Sequence, residues 1–186
     1  MSVEEITQDT TSRMQRAVDK VGEDFSGIRT GRANPKLLDR VMVEYYGTPT
    51  PLQQLANFSV PEPRILMVNP FDKSAMSAIE KAIRDADLGL NPSSDGVTLR
   101  CVFPELTQDR RKEYVRMAKQ VAEDGRIAIR NIRRSARDAL QKLTDDGDIG
   151  QDEQERVQKK FEETTAAHIA QIDALLAAKE QELAEV

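Results

Sequence analysis

Apolar residues recur at helical spacing toward both ends of the chain and at strand spacing in its middle. Ile6, Met14, Ala17, Val18, Val21, Phe25 and Ile28 step by threes and fours, which predicts one helix from about Val3 to Ile28, ended by Gly31 and Asn34-Pro35. After Pro104, Thr107 is an N-cap candidate, and Asp109 places negative charge in the first turn. Ala118, Val121, Gly125, Ala128, Ile132, Ala136, Ala139 and Leu143 then carry a second helix to Leu143. At the rise of an α-helix this is a rod of about 55 Å. Residues 144–150 read as a turn, and Val157, Phe161, His168, Ile172, Leu175 and Leu183 form the inward line of a third helix. Each helix alone would expose its stripe to water, so the three together predict an elongated antiparallel bundle.

The middle reads differently. All 8 prolines lie between Pro35 and Pro104, and helix interiors exclude proline. Val41 to Tyr46 alternates as a strand, Gly47 to Pro51 turns, Leu52 to Val60 supplies two short strands, and Arg64 to Asn69 supplies another. Met76, Ile79, Ala82, Ile83 and Ala86 mark a helix over Ser74 to Asp87, and Val97 to Phe103 closes the module. The predicted fold class is α+β with two domains. Residues 1–30 and 105–186 make a three-helix bundle discontinuous in sequence, and 31–104 is an inserted β/α/β domain. The short connections at Thr30, Gly31 and Arg32 and at Pro104 and Glu105 permit a hinge.

Charge then separates the bundle's helices. The chain's net charge is −5, yet residues 110–137 hold ten Lys and Arg against only Glu113, Glu123 and Asp124. Lys112, Arg116, Lys119, Arg126, Arg130, Arg133 and Arg137 follow one line of the second helix. That line points about 130° from the apolar one. Arg126, Arg130, Arg133, Arg134 and Arg137 have no acid among them, unlike a solvated face that alternates signs. Guanidinium forks suit phosphate oxygens, so a nucleic acid backbone is the expected partner. The rival reading is a helical interaction or chaperone-like protein whose basic stripe grips acidic proteins, its own acidic third helix in an oligomer among them.

Catalytic chemistry finds little support. His168 is the only histidine and lies in an apolar line, where it reads as a core or boundary residue. Asp145, Asp146 and Asp148 lack the ligand order of a calcium loop and read as turn and cap. No phosphate-binding glycine motif occurs, and no cofactor or metal is expected. Cys101 is the only cysteine, flanked by Leu99, Val102 and Phe103, and reads as a buried thiol in a reducing, cytoplasmic setting. Tyr45 and Tyr46 are neighbours in a strand, so one is expected to enter the core and the other to cover the surface. Neither a secretory signal nor an apolar run long enough to span a bilayer is read from the sequence.

Four segments in order add a resemblance: Arg29-Thr-Gly-Arg-Ala-Asn-Pro35, Val43-Glu-Tyr-Tyr-Gly-Thr-Pro-Thr-Pro-Leu52, Asp87-Leu-Gly-Leu-Asn-Pro92 and Arg130-Asn-Ile-Arg-Arg134. With these the chain resembles the ribosome recycling factor family over nearly its whole length. The resemblance implies a translation factor without an active site. It would bind the post-termination ribosome and, with elongation factor G and that partner's GTP hydrolysis, separate the subunits. It implies that the helical domain lies on large-subunit rRNA near the peptidyl transferase region and the intersubunit bridges, and that the smaller domain meets elongation factor G. Carried over by position, the rRNA-contacting arginines match Arg29, Arg32, Arg130 and Arg133, with Arg110, Arg111, Arg126, Arg134 and Arg137 as further candidates. Ser135 stands where that family often has an acid. A monomer is expected.

Overall fold

The computed structural model describes residues 2–185. Its backbone divides into two compact units, one reaching to Arg29 and resuming over Asp109–Glu185, the other Thr30–Gln108.

The first unit holds three helices: α1 (Val3–Ser26), α3 (Gln108–Asp145) and α4 (Gln151–Ala184). Helix α1 begins with a capping box. The Glu5 backbone N–H donates to Ser2 Oγ at 3.2 Å, and the Ser2 backbone N–H donates to Glu5 Oε2 at 2.8 Å. Helix α3 starts one residue after Thr107 and runs for 38 residues. Its end is a Schellman motif: Gly147 takes φ 80°, the Asp148 N–H donates to Leu143 O at 2.9 Å, and the Gly147 N–H donates to Thr144 O at 3.1 Å. Acidic Asp152 and Glu153 then occupy the first turn of α4, where the helix dipole favours them.

Two buried clusters hold these helices together. At one end Ile6 packs with Ala136, Leu140, Val157 and Phe161. Further along, Met14, Val18, Val21, Phe25 and Ile28 pack with Ala118, Ala122, Ile129 and Ile172. Low numbers of α1 thus meet high numbers of α3 and low numbers of α4, so α3 runs antiparallel to both. The bundle is the predicted one. Gly125 lets it close tightly: a Cβ there would overlap Val21 Cγ2 and lie 3.0 Å from Ile172 Cδ1.

The second unit carries two antiparallel sheets and one α-helix. Strands β1 (Met42–Tyr45) and β2 (Thr48–Pro51) form a hairpin, and its two loop residues, Tyr46 (φ 48°) and Gly47 (φ 76°), both adopt the left-handed region as in a type I′ turn. Strands β3 (Ala56–Glu62), β4 (Ile65–Pro70), β5 (Asn91–Ser94) and β6 (Leu99–Val102) make a second sheet in the order β3-β4-β6-β5. Helix α2 (Met76–Asp85) places Met76, Ile79 and Ile83 in a core with Val43, Leu52, Leu66, Val68, Leu99 and Cys101.

Three expectations change here. Residues 48–51, read as part of a turn, are a strand, and the turn is Tyr46-Gly47. Leu52 to Val60 is not two strands but a short 3-10 turn at Leu52–Gln54 followed by β3, whose register shifts between Ser59 and Glu62. Strand β5, polar and containing Pro92, was not expected at all. It is an edge strand, which tolerates both proline and polar side chains.

Candidate nucleic-acid interface

The buried residues of α3 are Ala118, Ala122, Gly125, Ile129, Ala136 and Leu140, while Val121, Ala128, Ile132, Ala139 and Leu143 are only half-buried. The packed face therefore sits roughly 50° round the helix from the predicted one, which brings it to about 90° from the basic line. The basic residues lie on the flank of the bundle rather than on its back, and that flank faces α4.

Acids of α4 meet two of them. Lys119 Nζ is 3.4 Å from Glu180 Oε1. Arg126 Nε and Nη2 both donate to Asp173 Oδ1, at 2.9 and 2.6 Å, while Nη1 donates to Glu123 Oε2 at 3.1 Å. Glu123 Oε1 also accepts from Arg130 Nη2 at 3.0 Å. The Arg126 side chain keeps only 22% of its exposure. Its guanidinium is held above the ordinary range first by the hydrogen bond to Asp173, then, against the opposing effect of burial, by Glu123. Arg126 and Arg130 are thus not the unmet cations that the sequence reading placed there. Arg110 is likewise met, its Nη1 donating to Glu113 Oε2 at 3.0 Å.

What remains open is a shorter patch. Among the described residues Arg133, Arg134 and Arg137 make no ion pair or side-chain hydrogen bond; Arg133 is half-buried and the other two are exposed. They occupy about one turn of α3. Near the other end of α3, Lys112 and Arg116 are exposed and unpaired. Arg29 is exposed just after Ile28, which seats in the same cluster as Ala118. Arg111 is half-buried on the first turn of α3. Arg32 is exposed in the second unit, where Thr30 and Gly31 are buried and Gly31 takes φ 76°, a conformation that disfavours a side chain. Of the second connection, Pro104 is exposed and Glu105 is ion-paired to Arg64, whose Nε also donates to Phe103 O at 3.1 Å.

The remaining candidates are structural. His168 is buried and donates from Nδ1 to Thr164 O at 2.7 Å. Cys101 is fully buried, and desolvation pushes its thiol up to about 11. Tyr45 packs on the core and donates to Asp72 Oδ2 at 2.8 Å, whereas Tyr46 is 81% exposed. One packs inward and one is exposed, but strand alternation is not the reason, since β1 ends at Tyr45 and Tyr46 lies in the hairpin turn. Among the described residues no group of three or more His, Cys, Asp and Glu is placed to hold a metal, and no helix is long and apolar enough to cross a membrane.

Comparison with known proteins bears on the whole chain. The family described as Ribosome recycling factor matches residues 21–183. The ribosome-recycling factor of Cutibacterium acnes is 54% identical over 182 residues, covering 98% of this chain and 99% of that one. That of Streptomyces coelicolor is 51% identical over 184 residues, covering 99% and 100%. A solution structure of a ribosome recycling factor superposes with TM-score 0.79 at 36% identity, covering 100% of this chain and 99% of its own. A second structure, the Thermus thermophilus ribosome recycling factor placed with Escherichia coli elongation factor G on the E. coli post-termination complex, matches with TM-score 0.67 at 47% identity, covering 98% and 99%. With a helical bundle interrupted by an α/β module, an arginine patch on its middle helix, and relatives of equal length at about half identity, the chain belongs to the ribosome recycling factor family.

Proposed function

We propose that the chain binds the post-termination ribosome and, together with elongation factor G, splits it into subunits in the cytoplasm. The chain is not an enzyme; energy comes from GTP hydrolysis by the partner. The bundle supplies the anchor. In a molecule of net charge −5, the three unmet guanidinium groups of Arg133, Arg134 and Arg137 within one helical turn are the observation that carries this role. Concentrated positive charge left unneutralised inside the protein is stabilised by rRNA phosphates. Arg29 adds a further exposed cation to the same unit, and Arg32, Arg110 and Arg111 stand as secondary contacts. The inserted module receives elongation factor G, and the connections at 30–32 and 104–105 allow it to move against the anchored bundle.

The rival, a stripe that grips acidic proteins, loses ground because the acidic helix that Lys119 and Arg126 grip belongs to the same chain. The test is Arg133→Ala in ribosome binding at several salt concentrations, followed by subunit splitting with and without elongation factor G and GTP. We expect weaker binding, a plot of log affinity against log salt shallower by roughly 0.7–0.9, and an unchanged melting temperature. Wild-type affinity at every salt concentration would remove Arg133 from the interface.

A further inference from the structure

The two ion pairs between α3 and α4 form a ladder with a missing rung. Lys119 meets Glu180 and Arg126 meets Asp173. A step of seven up α3 is thus matched by a step of seven down the antiparallel α4, which is two helical turns on each. Inside the bundle Gly125 faces Ile172, within two residues of that register. One more step leads from Arg126 to Arg133 and from Asp173 to Ala166. Ala166 is exposed and offers no acceptor. Glu162 and Glu163, the nearest acids of α4, are exposed and make no ion pair with Arg133. The following step pairs Leu140 with Lys159, so the charge ladder ends there.

We propose that Ala166 is the specificity-determining position of the basic flank. By withholding the third acid of the ladder it leaves Arg133 open to a phosphate, while Lys119 and Arg126 serve as struts to α4. This rests on the reading of Arg133 as an rRNA ligand, and it adds a residue on a different helix that touches no RNA. Ala166→Glu converts the open guanidinium into a third rung. The change is compatible with the helix, since glutamate is a good helix former at an exposed position. Its charge acts at a distance that a second substitution controls for. Ala167→Glu adds the same charge about 100° round α4, on the opposite flank.

The experiment measures affinity for purified ribosomes and thermal stability for Ala166→Glu, Ala166→Gln, Ala167→Glu and Arg133→Ala. Ala166→Glu should bind roughly ten-fold more weakly, as a lost charge-assisted hydrogen bond requires, without a lower melting temperature. Ala166→Gln and Ala167→Glu should stay within about two-fold of wild type. In the Arg133→Ala background Ala166→Glu should cost nothing further, and a double-mutant cycle in stability, which needs no ribosome, should show attraction between the two positions. Equal losses from Ala166→Glu and Ala167→Glu, or zero coupling in the cycle, would overturn the missing-rung proposal even if Arg133→Ala binds weakly. Wild-type binding by Arg133→Ala would instead overturn the anchor reading itself.

Discussion

Alanine at two helical glycines should have opposite effects, and the difference is set by packing alone. In a helix interior alanine is favoured over glycine by up to about 1 kcal/mol. At Gly22 of α1 a Cβ meets nothing within 4 Å, so Gly22→Ala should gain about 0.5–1 kcal/mol. At Gly125 the added carbon overlaps Val21 Cγ2 and lies 3.0 Å from Ile172 Cδ1, and both neighbours belong to the buried cluster that joins all three helices. Overpacking of such a site costs about 1–3 kcal/mol. With the propensity gain subtracted, Gly125→Ala should lose about 1–2 kcal/mol. For a bundle of this size that corresponds to a fall of roughly 4–15 °C in melting temperature. Circular dichroism at the helical band follows the bundle, since three of the four α-helices lie in it. Calorimetry of the full chain then separates its transition from that of the inserted unit. If Gly125→Ala melts at or above wild type, or if both substitutions shift stability in the same direction, the close approach at Gly125 is not what sets the helix spacing.

Other consequences are open to direct measurement. Arg126→Ala should destabilise the bundle by about 1 kcal/mol through the lost bond to Asp173, yet reduce ribosome affinity less than Arg133→Ala does; the reverse ranking would make Arg126 a ligand rather than a strut. Cys101, with its thiol raised to about 11 by burial, should stay unmodified by a disulfide reagent in the folded protein near neutral pH and react fully after denaturation. Asp72 is held below its ordinary range first by the Ser74 backbone N–H and then by the Tyr45 hydroxyl. A depressed carboxylate contributes stability above its unfolded pKa and loses it as pH falls through the folded one. Asp72→Ala should accordingly melt lower than wild type at neutral pH, and the gap should close below about pH 4; an equal gap in acid would show that the charge plays no part.

Periodicity made the bundle legible because three long helices carry many repeats, and an error at one position leaves the stripe intact. The phase of α3 was less secure. Alternating pairs such as Val121-Ala122 and Ala128-Ile129 offer an apolar residue on either side, and the positions of α1 and α4 together decide which one is buried. That choice moved Arg126 onto a flank. The pairing of Arg126 with Glu123, three residues before it, lay within reach of the sequence, since that spacing places both on one helix face. Its pairing with Asp173, 47 residues on, did not, because the contact depends on the register between two helices. In the inserted module β5 escaped notice for a related reason. Asn91-Pro-Ser-Ser94 has no strand propensity of its own and is ordered by its partner β6.

Chain order has a kinetic side as well. The segment 30–108 is continuous, so it has all its own contacts as soon as it emerges from synthesis. The bundle does not. Helix α1 is made first, but its apolar stripe stays wet until α3 and then α4 arrive to bury Met14, Val21 and Phe25. A copy that still lacks α4 therefore exposes guanidinium groups on an unbraced helix, and the arginine patch gains its finished support only once α4 has been made.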